Sequence, residues 1–120
     1  MPYYVYVTLV DEDRVLVFEM DPKSGRLDQR GDIAVPGGPA PLAISPDRAV
    51  MYAGCRADTK ISTFRIDQAT GGLSPIGTAP LDSDPCYLTT DRTGKFLFSA
   101  YYHDGRVGVH RTGDDGVVET

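Results

Sequence analysis

The chain has 120 residues, 41% of them hydrophobic and 24% charged, and its net charge is −5 at pH 7. A chain of this length normally forms one domain with a modest hydrophobic core. The acidic balance argues against nucleic acid and anionic membrane surfaces as partners, since both are bound through basic patches. A small anionic ligand remains compatible with it, because one or two local cations are enough to hold such a ligand.

The sequence also indicates a cellular location. No apolar run approaches the ~20 residues of a membrane span, and the first residues lack the basic and long apolar segments of a secretory signal. Cys55 and Cys86 are the two cysteines, and their spacing is not that of a metal site. We therefore expect two reduced thiols in a cytoplasmic protein, with a disulfide between them as the alternative. No metal and no cofactor are expected.

Alternating, β-branched and aromatic segments follow one another from the start of the chain, and turns rich in Gly, Pro and Asp separate them. No segment has a convincing helical stripe of even two turns. The patterns predict an all-β protein of 11 strands, the last of them weak: 3–9, 15–20, 27–35, 42–45, 50–54, 61–66, 73–79, 87–90, 96–101, 107–111 and 117–118.

The sequence repeats itself with a period of 46 residues, as the series Phe18, Phe64 and His110 and the pair Gly25 and Gly71 show. A period in the forties built from strands and turns is typical of a β-propeller blade. We predict a partial β-propeller over residues 1–120, with blades of four antiparallel strands and repeats near 3–40, 41–86 and 87–120. About two and three-quarter blades are then present, and one chain does not close a ring.

The short apolar segments at 42–45 and 87–90 suit the innermost strand of a blade, so the chain begins on the second strand of its first blade. This order sends the loops to two opposite faces. Five polar loops share one face: 11–14, 37–41, 56–60, 83–86 and 101–106.

Four segments resemble a known family: Tyr-Val-Tyr-Val near the start, Ile-Ser-Pro-Asp-Arg at 44–48, Met-Tyr-Ala-Gly-Cys-Arg at 51–56 and Asp-Arg-Thr-Gly-Lys-Phe-Leu-Phe-Ser-Ala-Tyr-Tyr at 91–102. They are similar to the seven-bladed lactonases, which include 6-phosphogluconolactonases of the propeller type and 3-carboxy-cis,cis-muconate cyclases. The resemblance covers essentially the whole chain and corresponds to the N-terminal part of the family's sequence.

The resemblance implies a carboxylic-ester hydrolase that opens a sugar lactone with water, and a small anionic lactone or sugar phosphate as substrate. A cyclase that forms a lactone from a muconate is the alternative. Seven blades of roughly 45 residues need about 315 residues, and the family's His and acidic residues lie largely in later blades. The isolated chain is therefore expected to be inactive.

Candidate site residues lie on the face that gathers the five polar loops. Arg56 is the first candidate for substrate contact, because a guanidinium binds carboxylate or phosphate through two parallel hydrogen bonds. The alternative is an ion pair of Arg56 with Asp58 or Asp84. Lys60 is a further candidate for contact with an anionic substrate.

Tyr101 and Tyr102 are substrate-contact candidates at a strand end, where alternation sends one between blades and the other to the loop face. His103 is the candidate general base for a water that attacks the lactone, because imidazole titrates near neutral pH; a plain surface residue is the alternative. His110 keeps the register of Phe18 and Phe64 and is expected to pack between blades.

A function of another class stays open. A blade that lacks a neighbour exposes an apolar face, and exposed apolar faces indicate partners. The chain is then a non-catalytic fragment or interaction module that associates with copies of itself, or one whose missing blades belong to another chain.

Overall fold

The computed structural model describes residues 3–119. Ten strands run through them, with one short 3₁₀ turn at Val10–Glu12. The strands are β1 (Tyr3–Leu9), β2 (Arg14–Met20), β3 (Leu27–Ala34), β4 (Pro39–Ile44), β5 (Val50–Cys55), β6 (Lys60–Ile66), β7 (Leu73–Pro80), β8 (Tyr87–Thr90), β9 (Phe96–Tyr101) and β10 (Arg106–Arg111).

The strands form three antiparallel sheets with the orders β1-β2-β3, β4-β5-β6-β7 and β10-β9-β8. We call them the first, second and third blades. Each sheet joins strands that are consecutive in sequence, and β4 contacts both β1 and β8, which places the blades side by side. The all-β prediction with antiparallel blades is confirmed, and within residues 3–119 the blades do not close into a ring.

The turn between the second and third strands of a blade has one left-handed residue at the same place in every repeat. Asp13 has a φ of 51°, Thr59 of 48° and Gly105 of 64°, and these three positions are 46 residues apart. A left-handed residue in a short turn reverses the chain tightly. The repeat is therefore conformational as well as compositional, and it sets the direction of the loops that follow β1, β5 and β9.

A tyrosine hydroxyl links the first blade to the second and another links the second blade to the third. Tyr6 in β1 donates to the carbonyl of Gly71 at 2.6 Å, and Tyr52 in β5 donates to the carbonyl of Gly116 at 2.7 Å. Both bonds run forward, from the second strand of one blade to the outer hairpin of the following blade. In the third blade this position is occupied by Phe98, which has no hydroxyl.

Two apolar clusters fill the junctions between blades, because alternate side chains of each strand point to opposite faces of its sheet. The buried residues of the first junction are Val15, Val35, Met51, Ala53, Cys55, Phe64 and Ile66. Those of the second junction are Val50, Tyr52, Ile61, Ala79, Leu88, Leu97 and Val118. These two clusters hold the loops of neighbouring blades in a fixed relation.

The eleventh strand, expected at 117–118, is wrong as a strand. A single antiparallel bridge joins Thr112 to Val118. The hairpin closes through Gly113, whose N–H donates to the carbonyl of Val117 at 2.9 Å. Beside this bridge the N–H of Glu119 donates to the carbonyl of Arg111 at 2.9 Å, and within the described residues the pairing amounts to this one bridge.

Strand β4 begins at Pro39, three residues before the predicted start. Its pairing with β5 shifts register between Pro39 and Leu42. The irregular entry explains the difference, because Pro cannot donate a ladder hydrogen bond and breaks the alternating pattern in the sequence.

Candidate functional site

The loops that leave β5 and β9 meet the loops that enter β4 and β8 on one face, which we call the loop face. The N–H of Arg56 donates to the carbonyl of Gly38 at 2.9 Å, and the N–H of Gly38 donates to Asp13 Oδ1 at 2.9 Å. Side chains of Arg56 and His103 both approach Asp84. The expected gathering of polar loops on one face is therefore present in the structure.

Arg56 forms an ion pair with Asp84 across the second junction, with 2.8 Å between Nη2 and Oδ2. The hydrogen bond from Arg56 holds the pKa of Asp84 below its usual range; partial desolvation opposes this effect, and the charge of His103 adds to it. The side chains are 39% and 26% exposed, so water screens the pair and its contribution to stability is small. Its value is geometric, since it fixes the direction of the guanidinium.

One donor of the same guanidinium is unused. Arg56 Nε is buried and has no hydrogen-bond partner among residues 3–119. Buried polar groups usually have partners, and one without a partner calls for an explanation. An acceptor that approaches the edge formed by Nε and Nη2 supplies one.

His103 stands beside the ion pair. Its Nε2 lies 3.8 Å from Asp84 Oδ2, and 65% of its side chain is exposed. The ring of Tyr102 meets the imidazole edge to face, with 5.7 Å between the centroids. His103 is thus accessible to a ligand and to water, and the nearby carboxylate of Asp84 can orient its ring.

The remaining predicted residues occupy different environments. Tyr102 is 79% exposed at the loop face, whereas Tyr101 is 4% exposed and shares the face of β9 that Leu97 turns toward the second junction. Lys60 Nζ pairs with Asp58 Oδ2 at 3.3 Å. The structure therefore brings Arg56 and His103 to one carboxylate, with Tyr102 against the His103 ring, whereas Tyr101 is buried.

Tyr101 belongs to a polar chain inside the second junction. Ser99 Oγ donates to the Tyr101 hydroxyl at 2.8 Å and lies 2.9 Å from His110 Nε2. His110 is paired with Leu97 on the face toward the second blade, and burial lowers its pKa, against the opposing charge of Asp82. Tyr101 is therefore held inside the blade junction, and of the two tyrosines Tyr102 is the one exposed at the loop face.

Asp84 is one of the two partners that the sequence analysis named in its alternative for Arg56, and the structure shows this ion pair; its position beside His103 was not predicted. An Asp before Pro, as in Asp84 and Pro85, has the ordinary appearance of a turn. One signal was present in the repeat: Asp84 occupies the position that Gly38 holds in the preceding blade. A carboxylate that replaces glycine at the loop face is a change that the turn itself does not require.

The opposite face carries a groove of about 1140 Å³ between the second and third blades. Its lining includes four cations and four carboxylates: Arg65, Arg92, Lys95, Arg111, Asp47, Asp114, Asp115 and Glu119. These charges balance, so the lining has no net preference for an anion. Asp47 accepts hydrogen bonds from Ser45 Oγ and the N–H of Ala49, and Asp91 accepts them from Thr93 Oγ1 and the N–H of Phe96, which are the turn roles expected of them.

Within the described part of the chain, no three His, Cys, Asp or Glu side chains are grouped so as to hold a metal ion. No helix in residues 3–119 is long and apolar enough to cross a membrane.

Comparison with known proteins defines the class. The family model described as "Lactonase, 7-bladed beta-propeller" matches residues 4–120. The chain therefore belongs to the family of seven-bladed β-propeller lactonases.

Curated relatives match the chain along almost its whole length. The chain is 36% identical over 120 residues to a 6-phosphogluconolactonase of Cronobacter sakazakii, covering 100% of this chain and 36% of that protein. It is 37% identical over 119 residues to a 6-phosphogluconolactonase of Yersinia pestis, covering 99% of this chain and 35% of that protein. The chain thus spans about a third of the length of the curated relatives it matches.

Solved structures show the same fold. A putative 6-phosphogluconolactonase from Bacteroides uniformis superposes with a TM-score of 0.87 at 24% identity, over 97% of this chain and 35% of that one. A periplasmic gluconolactonase from Pseudomonas aeruginosa superposes with a TM-score of 0.85 at 24% identity, over 98% of this chain and 35% of that one. At these identities the likeness concerns the arrangement of the blades.

Proposed function

We propose that the chain forms part of a lactone hydrolase of the 6-phosphogluconolactonase type. The observation that carries the proposal is the meeting of Arg56, Asp84 and His103 on one face, supplied by two blades of a lactonase-family propeller. The names of the relatives, 6-phosphogluconolactonases, support the substrate class. The substrate is a small anionic sugar lactone.

In the proposed reaction, His103 removes a proton from a water molecule while the water oxygen attacks the lactone carbonyl. The ring C–O bond then breaks, and the proton passes from the imidazolium to the leaving alkoxide. Arg56 holds the anionic group of the substrate, Tyr102 contacts the sugar, and Lys60 adds a second cation near the developing negative charge. Residues from other blades complete the site, so the isolated chain binds its ligand without rapid turnover.

The test uses the 120-residue chain and 6-phosphogluconate, the hydrolysis product, followed by NMR through backbone amide shifts. We expect the largest shifts near Arg56 and His103, and about tenfold weaker binding for Arg56→Lys, which loses the forked geometry. Arg92→Lys, in the groove on the opposite face, is the matched control and should bind as the wild type does. Shifts caused by a muconate but not by 6-phosphogluconate would favour the cyclase, and no shift with either ligand would contradict both functions.

A second candidate function rests on the uncovered face of the third blade. Tyr87, Val107 and Val109 are 63%, 71% and 61% exposed, and pairing with Phe98 and Ala100 puts the valines on the face turned away from the second blade. A second copy of the chain, or blades from another chain, would cover this apolar surface. Light scattering tests the proposal, and a stable monomer at high concentration would contradict self-association.

The proposed location is the cytoplasm. Cys55 is buried, Cys86 is exposed, and both are free thiols. Free thiols are usual in a reducing compartment. Fractionation of cells that produce the protein would test this, and recovery outside the cytoplasm would contradict it.

A further inference from the structure

The carboxylate of Asp84 is bonded to the cation of the candidate site and lies close to its imidazole. Its Oδ2 lies 2.8 Å from Arg56 Nη2 and 3.8 Å from His103 Nε2. Arg56 follows a strand of the second blade and His103 follows a strand of the third. A displacement of about 1 Å would bring the same oxygen within hydrogen-bond distance of the imidazole.

Asp84 accepts a hydrogen bond from one donor of the Arg56 guanidinium, and a neighbouring donor has no acceptor among residues 3–119. Nε and Nη2 form one edge of the Arg56 side chain, and an oxyanion can accept two parallel hydrogen bonds along such an edge. Asp84 takes Nη2, whereas Nε is buried and has no acceptor among residues 3–119. An oxyanion that bonds to both donors therefore competes with Asp84 for Nη2.

The charges around His103 define where a displaced carboxylate can go. Asp104, the other carboxylate close to the imidazole, is held by Arg106 Nη2 at 3.0 Å. Asp84 is partly exposed, and among residues 3–119 the side-chain hydrogen bond to its Oδ1 comes from Ser83 Oγ at 3.4 Å. Of the two carboxylates near His103, Asp84 is the one with a weakly held oxygen and a short path to Nε2.

We propose that Asp84 couples anion binding to the candidate base. When an oxyanion binds the Nε–Nη2 edge of Arg56, the Asp84 side chain moves away from the guanidinium and bonds to the imidazole of His103. The Nε2–H of neutral His103 then donates to Asp84, and Nδ1 is left to accept the proton of the attacking water. The base is oriented only when the anionic group of the substrate is in place. This coupling rests on the proposed function, and Asp84 acts in it as a positioning residue.

The test is a thermodynamic cycle in the 120-residue chain with sulfate, a permanent dianion, as the probe. Affinity is measured at pH 8 from NMR amide shifts near Arg56, against sodium chloride at matched ionic strength. Asp84→Asn keeps the shape of the side chain and removes the competing charge, so we expect about tenfold tighter sulfate binding, a gain that a merely structural role would not produce. Arg56→Gln should abolish the binding.

His103 completes the cycle, because it is the acceptor site for the displaced carboxylate. We expect His103→Gln to weaken sulfate binding about threefold in the chain that contains Asp84, and to have no effect in the Asp84→Asn background. Equal effects of His103→Gln in both backgrounds would show that the imidazole acts on sulfate directly, which overturns the coupling. Unchanged or weaker binding in Asp84→Asn, or no sulfate binding by the wild-type chain, overturns it as well.

Failure of the coupling is distinguishable from failure of the proposed function. If 6-phosphogluconate perturbs the amides near Arg56 while the cycle shows no dependence on Asp84, the function stands and the coupling is lost. If sulfate shows the cycle while 6-phosphogluconate binds nowhere, the coupling stands and the substrate class is wrong.

Discussion

Thr59 has a φ of 48° in the turn between Arg56 and Lys60, and this conformation is unfavourable for a β-branched residue. The same turn in the third blade has Gly105, with a φ of 64° and no heavy atom within 4 Å of a Cβ added there. Glycine adopts left-handed conformations without steric cost. Thr59→Gly therefore removes the steric cost of the left-handed conformation from one turn. Gly105→Thr introduces the same cost into the equivalent turn of the third blade.

The magnitude follows from two opposing terms. A left-handed conformation costs a residue with a Cβ roughly 1–2 kcal/mol, and this cost disappears in Thr59→Gly. Glycine increases the conformational entropy of the unfolded chain, which lowers the free energy of unfolding by about 0.5–1 kcal/mol. We expect Thr59→Gly to raise the free energy of unfolding by about 0.5–1 kcal/mol, and Gly105→Thr to lower it by a similar amount.

Urea titration followed by circular dichroism measures the effect. With a slope of roughly 1.5 kcal/mol per molar urea for a chain of this size, the midpoints should move about 0.5 M in opposite directions. Thr59→Ala is the control, because it removes the hydroxyl and methyl groups but keeps a Cβ at the left-handed position. Equal stabilisation by Thr59→Ala and Thr59→Gly, or no loss in Gly105→Thr, would refute the backbone argument.

Three further predictions concern the junctions between blades. Tyr52→Phe removes the 2.7 Å bond to the Gly116 carbonyl and should lower the free energy of unfolding by about 1 kcal/mol in urea; an unchanged midpoint would contradict this. Burial lowers the pKa of His110 from its ordinary 6.5. The contribution of neutral His110 to the free energy of unfolding is therefore complete above about pH 6.5, and it is lost as the pH falls through the lower folded-state pKa. His110→Phe, which copies Phe64, should remove that part of the pH dependence, and midpoints that fall as in the wild type would contradict it. Burial raises the pKa of Tyr6 from 10.0 to about 12. The contribution of the neutral phenol to the free energy of unfolding is therefore intact below pH 10, and it is lost as the pH rises through about 12. Tyr6→Phe should flatten the alkaline loss of stability in urea titrations, and an unchanged slope would show that Tyr6 is not its source.

The strands were predictable because a local pattern determines them. Tyr3–Leu9, Tyr87–Thr90 and Phe96–Tyr101 have the predicted bounds, since alternation and turn residues mark both ends of each. The start of β4 and the eleventh strand were wrong, because both depend on pairing. Pro39 joins its sheet through an irregular register, and Val118 forms one bridge that the sequence pattern cannot distinguish from a ladder.

The candidate site was predictable in its location and in part in its contacts, since an ion pair of Arg56 with Asp58 or Asp84 was the alternative given for Arg56 and the pair with Asp84 is present. The order of the strands placed the loops that carry Arg56 and His103 on one face without any side-chain geometry. The role of Asp84 depends on which rotamer the guanidinium adopts across a junction, and a sequence does not encode that locally. Alternation predicted that one of Tyr101 and Tyr102 packs between blades, and the structure shows that it is Tyr101, at the position that buried Cys55 holds in the second blade.

The tyrosine hydrogen bonds between blades all run in the same direction, from one blade to the next along the chain, and this direction has a mechanical consequence. Tyr6 and Tyr52 each donate forward into the next blade, so pulling a blade away from its predecessor breaks a hydrogen bond as well as apolar contact. Phe98, at the third position of the series, can offer apolar contact alone. A blade seated on the Phe98 face would therefore lack the hydroxyl hydrogen bond that secures the two junctions before it, and only its apolar contact would resist separation under force.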